Sequence, residues 1–261
     1  MMRIIKKWTV LAWIIVIWGA CDFSSLDDIT IVPNVEDEFY LDLWEKLSPT
    51  ERTLVFKVST IKDEACKNHK IGFEYERNAN RLLLQLNNII KSLDCEPGKA
   101  PATADIDAEG LTPGFYELKI ELRNAVESTG QLSISGDNYL IELRKRNGVV
   151  LVRKELIKVP ENAIWGYVQY QEAADETIAK AFISDLKAIS TQKTYRNGYY
   201  GHFTIENGNA RIDQQPDSRT LPFLQQISEN AAAVHDLLAQ YRSAYGAKLS
   251  IVLYTWQGQS W

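Results

Sequence analysis

Apolar and polar side chains alternate with a period of two residues along most of the chain up to about residue 160. Phe39, Leu41 and Leu43 alternate with more polar neighbours, and Leu54 and Phe56 repeat the pattern. Successive side chains of a β-strand point to opposite faces, so these runs predict half-buried strands. Further strands are predicted at Lys70 to Arg77, Arg81 to Ile90, Phe115 to Arg123, Gln131 to Ser135, Tyr139 to Arg144 and Val149 to Val159. Many short strands without helical periods predict an Ig-like β-sandwich over residues 29–160.

Turn-forming residues separate these predicted strands. Asn147-Gly148 predicts a tight hairpin between its flanking strands, because a type I′ turn needs positive φ at both central positions. The segment Glu96 to Glu109 is rich in proline, alanine and threonine. That composition predicts an exposed connection.

A helical period of apolar residues first appears after Pro160. Ile178, Phe182 and Leu186 are spaced by four residues, which predicts an amphipathic helix. A strand is predicted at Ala163 to Gln171 and a helix at Ala174 to Ile189. A hairpin follows, in which Asn207-Gly208 connects a strand at Tyr199 to Glu206 with one at Ala210 to Ile212. A second helix is predicted to begin with an N-cap at Thr220 and Pro222 in its first turn and to end at Gly246, and a last strand covers Lys248 to Trp256. This order is that of a ferredoxin-like split βαβ domain over residues 161–261, so the chain is predicted to be mainly β plus α+β.

One face of this second predicted sheet is aromatic. The residues predicted to pack under the two helices are Ile164, Val168, Phe203, Ile205, Ile251 and Leu253. The opposite face then carries Trp165, Tyr167, Tyr200, His202, Tyr254 and Trp256. An aromatic face is either covered or made for contact. The first interpretation is a cover formed by the N-terminal domain or by a second copy of the domain, and the second is a binding platform for sugar rings or a peptide.

The first twenty-one residues follow the pattern of an export signal. A basic start with Arg3, Lys6 and Lys7 precedes an uncharged apolar run from Trp8 to Trp18. The run is about half as long as a helix that crosses a bilayer, which disfavours a permanent transmembrane anchor. Residues 1–20 are therefore predicted to be a cleaved signal peptide.

Two small residues before a cysteine end that segment. Gly19-Ala20-Cys21 resembles the lipobox of bacterial lipoproteins, with Trp18 where leucine is usual. The resemblance implies that a diacylglyceryl group is added to Cys21 and that cleavage occurs just before it. Residues 21–28, which are short and acidic, would then tether a folded body to a membrane of the bacterial cell envelope, in the periplasm or at the cell surface.

The net charge of the mature chain limits the classes of molecule that it is expected to bind. Removal of the signal takes away three basic residues and leaves 26 basic against 34 acidic residues, a formal charge of −8. An acidic protein of this kind is a poor ligand for nucleic acid. The expected partners are the membrane, through the lipid on Cys21, and an envelope glycan or protein.

Cys66 and Cys95 remain once Cys21 is assigned to the lipid. Two cysteines in an exported protein more often form a disulfide than a metal site, so a bridge between them is predicted. The alternative is a pair of free thiols.

Catalytic motifs are absent from the sequence. His69, His202 and His235 have none of the spacings that aim two imidazoles at one zinc ion. Asp105-x-Asp107-x-Glu109 faintly resembles a calcium loop but lacks the distal glutamate, and no G-x-S-x-G presents a nucleophile. No cofactor, metal site or catalytic residue is predicted. The leading interpretation is a binding or structural module that acts through the aromatic face, and the alternative is an envelope enzyme such as a carboxylate-dependent glycan hydrolase.

Overall fold

The computed structural model describes residues 36–216, 218–227 and 231–261, which belong to one compact unit. The predicted signal peptide, the lipidation site Cys21 and the tether of residues 21–28 lie outside the described residues. The strands are β1 (Phe39–Leu47), β2 (Arg52–Cys66), β3 (Lys70–Asn78), β4 (Arg81–Ile90), β5 (Pro97–Ala108), β6 (Gly114–Leu122), β7 (Val126–Ile134), β8 (Asn138–Lys145), β9 (Val149–Leu151), β10 (Glu155–Ile157), β11 (Ala163–Tyr170), β12 (Gly198–Tyr199), β13 (Phe203–Glu206), β14 (Asn209–Ile212), β15 (Thr220–Gln226) and β16 (Leu249–Thr255). The helices are α1 (Glu176–Ala188) and α2 (Ala231–Tyr245). A mainly β chain with a smaller α+β part is confirmed.

The first ten strands form one sheet in the order β10-β8-β7-β6-β4-β3-β5-β2-β1-β9. Its inner face encloses a single core, to which β1 contributes Phe39, Leu41 and Leu43 and β2 contributes Leu54 and Phe56. The alternation read from these two strands is therefore confirmed. An Ig-like sandwich divides its strands between two sheets, whereas all ten strands here belong to one hydrogen-bonded sheet.

The ten-stranded sheet curls until its two ends meet. Strands β9 and β10 lie at opposite ends of the sheet order, yet only residues 152–154 separate them. Four residue steps of extended chain span at most about 14 Å, which limits the gap between the ends. The connection also bonds to both ends, because the Val152 N–H donates to the Leu41 carbonyl (2.9 Å) and the Lys154 carbonyl accepts from the Ile141 N–H (2.8 Å).

The hairpin predicted at Asn147-Gly148 is wrong. Strand β8 pairs with β7 and β10, and β9 instead pairs in parallel with β1. Only Gly148 of the two turn residues has positive φ, and the Asn147 amide donates to the Glu127 carbonyl (3.0 Å). The dipeptide therefore turns the chain away from β8 and across to β1.

The exposed connection predicted at residues 96–109 is also wrong. The segment forms β5, a twelve-residue strand that pairs with β2. Ala102, Ala104, Ile106 and Ala108 alternate into the core, so the alanines are the inward side chains of a strand. Because alanine is small and only weakly apolar, the composition of the segment did not indicate that these positions form the inward side of a strand.

The predicted disulfide is confirmed. Cys66 ends β2 and Cys95 lies just before β5, and their Cα atoms are 5.4 Å apart across an S–S bond. The bridge closes a loop that holds β3 and β4.

A second, three-stranded sheet has the order β15-β11-β16, and both neighbours run antiparallel to β11. Helices α1 and α2 cover one of its faces, and the buried residues there include Ile164, Val168, Ile251 and Leu253. Phe182 and Leu186 of α1 pack into the same core, so the predicted helix and these four strand positions are confirmed.

The second predicted helix is only partly correct. Thr220 and Pro222 belong to strand β15 instead of an N-cap and first turn, and the described helix begins at Ala231. Proline is tolerated in β15 because this strand lies at a sheet edge. The C-terminal half of the predicted helix is confirmed, since α2 occupies it and buries its own Val234 and Leu238.

Strands β12, β13 and β14 form a third, separate sheet. Asn207 and Gly208 both have positive φ and connect β13 to β14 as predicted. The prediction that Phe203 and Ile205 pack under the helices is wrong, because both side chains join a different core around Trp165.

Candidate functional site

The six predicted aromatic-face residues are brought together, although not on one sheet. Trp165 and Tyr167 lie on β11, and Tyr254 lies opposite Trp165 on β16. Tyr200 and His202 instead lie in the segment between β12 and β13, so their assignment to the same sheet is wrong. The members of the cluster are Trp165, Tyr167, Tyr200, Tyr254 and Trp256 in one apolar core, with the ring of His202 5.4 Å from that of Trp165.

The same chain covers most of this face. Phe203, Ile205 and Ile212 of the third sheet share one core with Trp165, together with Ile157 from β10. Trp165 retains only 2% of its exposure. The aromatic residues therefore form a core between two small sheets, and one opening in the described part of the chain reaches Trp165 and Tyr254.

That opening is a cleft of about 200 Å³ between the outer face of β1 and β2 and the two small sheets. We call it the aromatic cleft. Its lining residues are Trp44, Lys57, Trp165, Tyr199, Gly201, His202, Ile212, Asp213, Gln214 and Tyr254. Aromatic surface combined with a few convergent polar groups is typical of a small-molecule site.

Trp44 fixes one wall of the aromatic cleft. Its indole Nε1–H donates to the Gly201 carbonyl (2.7 Å). Gly201 has φ of +83°, and a Cβ at this position would lie 3.2 Å from Trp44 Cδ1, so glycine permits both the turn and the close approach. The Lys57 ammonium lies 4.4 Å from the centroid of the Trp44 ring, in a cation–π contact.

His202 lies between the rings of Trp44 and Trp165, with centroid distances of 4.9 and 5.4 Å. Its Nε2 lies 2.8 Å from the Glu45 carbonyl. A carbonyl oxygen only accepts, so Nε2–H is the donor. Desolvation lowers the pKa of His202, and the nearby Lys57 charge acts in the same direction. The hydrogen bond to the Glu45 carbonyl opposes these two effects, and the net lowering of the pKa favours the neutral imidazole.

Asp213 lines the same opening, and Asp42, which does not line it, interacts with the same Arg153. Desolvation raises the pKa of Asp42, against the ion pair with Arg153. Desolvation also raises the pKa of Asp213 at the rim, and again the Arg153 charge opposes it. The Arg153 guanidinium lies 3.7 Å from the Tyr199 ring centroid, and burial together with both carboxylates raises the pKa of the Tyr199 hydroxyl.

Behind the aromatic cleft lies a buried carboxylate, Glu45, on the inner face of β1. Tyr139 donates its hydroxyl hydrogen to Oε1 (3.1 Å), and the Val159 N–H donates to Oε2 (3.3 Å). Arg52 forms an ion pair with Oε2 at 3.7 Å and donates to the Val159 carbonyl at 2.6 Å. This network fastens the chain between β10 and β11 to β1, and so fixes the position of the small sheets.

Larger clefts also occur in the described part of the chain. One of about 520 Å³ lies on the ten-stranded sheet, where Arg81 pairs with Glu117 at 3.0 Å in an exposed ion pair. Exposed pairs of this kind are a solvated surface. The described residues hold no group of three or more His, Cys, Asp or Glu side chains that could bind a metal ion. Neither described helix is long and apolar enough to cross a membrane.

No model of a protein family matches this chain, and neither the curated proteins nor the solved structures with which it was compared include a significant match.

Sequence reasoning missed seven of the residues that line the aromatic cleft, and Trp44, Lys57, Tyr199 and Asp213 are among them. One signal was present, because the alternation of β1 places Trp44 on the polar, outward side of the strand. A tryptophan at such a position indicates a contact that the strand itself does not explain.

Proposed function

We propose that this protein is a binding module whose aromatic cleft holds a sugar ring of an envelope glycan. The observation that carries the proposal is the composition of the cleft, where the half-buried rings of Trp44 and Tyr254 lie beside Lys57 and Asp213. Aromatic faces stack on the C–H-rich faces of sugars, and the charged groups can bond the hydroxyls. A volume of about 200 Å³ suits one ring of a longer chain.

Calorimetric titration with soluble oligosaccharides of neutral hexoses and of N-acetylhexosamines tests this proposal. Tyr254→Ala should weaken binding about fivefold to tenfold, because it removes one aromatic wall. Tyr40→Ala is the matched control, since Tyr40 is an exposed aromatic residue on β1 outside the cleft lining. Equal losses in both variants, or no binding of any oligosaccharide by the unaltered protein, would contradict the proposal.

A glycan hydrolase is the second candidate, and the paired carboxyls favour it. Asp42 and Asp213 have raised pKa values and interact with the same residues, Arg153 and Tyr199. A glycosidase needs two such groups, one of them kept protonated. Release of reducing ends from the oligosaccharides, abolished by Asp213→Asn, would identify this activity; a protein that binds without releasing them is the module proposed above.

The cellular setting of this proposal rests on the lipobox-like segment Trp18-Gly19-Ala20-Cys21. The module is held on a membrane of the bacterial cell envelope by a lipid on Cys21. Intact mass of detergent-extracted protein tests this: we expect a chain that begins at Cys21 and carries added acyl mass, and a Cys21→Ala protein that is released from the membrane. Cleavage at a different site would contradict the proposed lipid anchor on Cys21.

We assign residues 161–261 to a ferredoxin-like domain that lacks one edge strand. The support is the order β15-β11-β16, in which α2 joins β15 to β16 across β11 as a split βαβ unit. Next to β15, where such a domain has its fourth strand, only Thr191 pairs with Gln226. The Ig-like assignment and the division of the chain at residue 160 stay predictions.

A further inference from the structure

One edge of β15 has no partner strand among the described residues. The strand pairs with β11 on one side, and on the other side the described chain contributes only the bridge between Thr191 and Gln226, with N···O distances of 2.7 and 3.0 Å. Beyond Thr191 the described chain forms no further bridge to β15, although Gln192 to Tyr195 remain beside the strand as lining residues of the adjoining cleft. Three positions of β15 are consequently left without a partner strand in the part of the chain that the structure describes.

The hydrogen-bonding groups on this edge follow from the register. Residues of an antiparallel strand point their N–H and C=O groups alternately to the two sides. Gln226 points outward to Thr191, so Leu224, Pro222 and Thr220 also point outward. They offer two N–H donors and three carbonyl acceptors, since proline has no N–H.

A cleft of about 480 Å³ runs along this edge, and we call it the edge cleft. Ile183 of α1, Pro222 and Leu224 give it apolar walls. Lys187 and Lys193 are its charged residues, and no aspartate or glutamate is among its described lining residues. The edge cleft shares no lining residue with the aromatic cleft.

The charge of the edge cleft selects among possible occupants. Two exposed lysines without a neighbouring acid in the lining favour an acidic segment, and the apolar walls favour alternate apolar side chains. A second copy is a poor occupant, because pairing of two β15 edges would bring the lysines of both copies together and would place a proline in each pairing strand.

We propose that the edge cleft binds an acidic, extended peptide segment of a partner protein. The peptide continues the line of Thr191, runs antiparallel to β15 and adds a fourth strand to the sheet. Main-chain hydrogen bonds to Leu224, Pro222 and Thr220 supply affinity, and the two lysines supply the preference for acidic side chains. This site goes beyond the glycan-binding proposal and does not depend on it.

A fluorescent ten-residue peptide that alternates valine with aspartate and glutamate, and is blocked at both ends, serves as the probe. Fluorescence anisotropy of the full chain should show saturable binding. The double variant Lys187→Glu, Lys193→Glu should weaken it about tenfold, because two attractive charges become repulsive. Lys91→Glu, Lys99→Glu is the matched control, since both lysines are exposed on the ten-stranded part of the chain. It should bind like the unaltered protein.

Backbone pairing is tested on the peptide itself, which avoids any change to the fold. Only alternate peptide N–H groups face β15, so methylation of one alternate set should weaken binding about tenfold and methylation of the other set should not. Equal effects of the two sets, equal binding of a lysine-substituted peptide, or no binding at all would overturn the proposal. Self-association of the protein in sedimentation experiments, abolished by the Lys187 and Lys193 changes or by added peptide, would assign the edge to a second copy and overturn it as well.

Discussion

Glu45 carries a carboxylate that is withdrawn from solvent behind the aromatic cleft. Burial raises its pKa, and the Arg52 charge opposes the rise. Glu45→Ala should lower the free energy of unfolding by about 3 kcal/mol. This is the low end of the loss expected when one partner of a buried ion pair is removed, because Arg52 keeps some access to solvent. Urea unfolding measures this, and Glu117→Ala, which breaks an exposed pair, should cost less than about 1 kcal/mol. Similar losses in the two variants would mean that the Glu45 network is not stabilising.

His202 gives the stability a dependence on pH. Its pKa is lowered in the folded state, whereas in the unfolded chain it titrates near the usual value of about 6.5. Below that pH the unfolded state binds more protons, so stability should fall until the pH drops below the folded-state pKa. The raised pKa values of Asp42, Glu45 and Asp213 act in the opposite direction at lower pH.

Comparison with His202→Gln isolates the histidine, because the carboxyls are common to both proteins. The difference in unfolding free energy between the unaltered protein and the variant should shrink as the pH falls below about 6.5. Urea unfolding at a series of pH values measures that difference. If the unfolding free energies of the two proteins changed equally with pH across this range, His202 would not be the cause of the loss of stability at acid pH.

Side-chain direction was predictable at the residue level on β11 and β16, but not on β13, where Phe203 and Ile205 were assigned to the wrong core. The alternation placed Trp165 and Tyr254 on the face opposite the helices, and the structure agrees. The meeting of His202 with β1 was not predictable, because 157 positions separate His202 from Glu45 and no local pattern encodes the contact. Long-range docking depends on how whole sheets pack.

Among the elements, β11 is the most constrained by its neighbours. A Cβ on Gly166 would lie 1.9 Å from the Val252 carbonyl oxygen on the paired strand. Gly166→Ala should therefore push β11 and β16 apart and lower the free energy of unfolding by about 2 kcal/mol or more. Gly136→Ala is the control, because its Cβ would meet no atom within 4 Å and should change stability by less than about 0.5 kcal/mol. Thermal unfolding of both variants tests the prediction, and equal melting temperatures would contradict it.

The elements that sequence reasoning misassigned have patterns that fit two structures. Thr220 and Pro222 look like a helix start, yet proline is equally acceptable on an edge strand, and the lack of a neighbour on that side is a tertiary fact. Asn147-Gly148 favours a hairpin, but pairing of β8 with β10 outcompetes it. The long helical stripe of α1 had no such competitor and was predicted correctly.

At the scale of the whole molecule, the small sheets and the ten-stranded sheet share polar contacts. The Trp44 indole bonds to Gly201, His202 to Glu45, and Arg52 to Val159. We therefore expect residues 36–261 to unfold in one cooperative transition, with circular dichroism and tryptophan fluorescence giving coincident curves. Two separate transitions would show that the two parts fold independently.

Closure of the ten-stranded sheet also imposes an order in time. Phe39 on β1 pairs with Val149 on β9, 110 positions later, and β8 receives its last partner only with β10. A chain emerging vectorially from a ribosome or a translocation pore keeps both strand edges bare until residues 149–157 are available. Unpaired strand edges can pair with other chains and so promote aggregation. When this nine-residue segment becomes available, its two strands pair with both ends of the sheet, and both edges are covered at the same time.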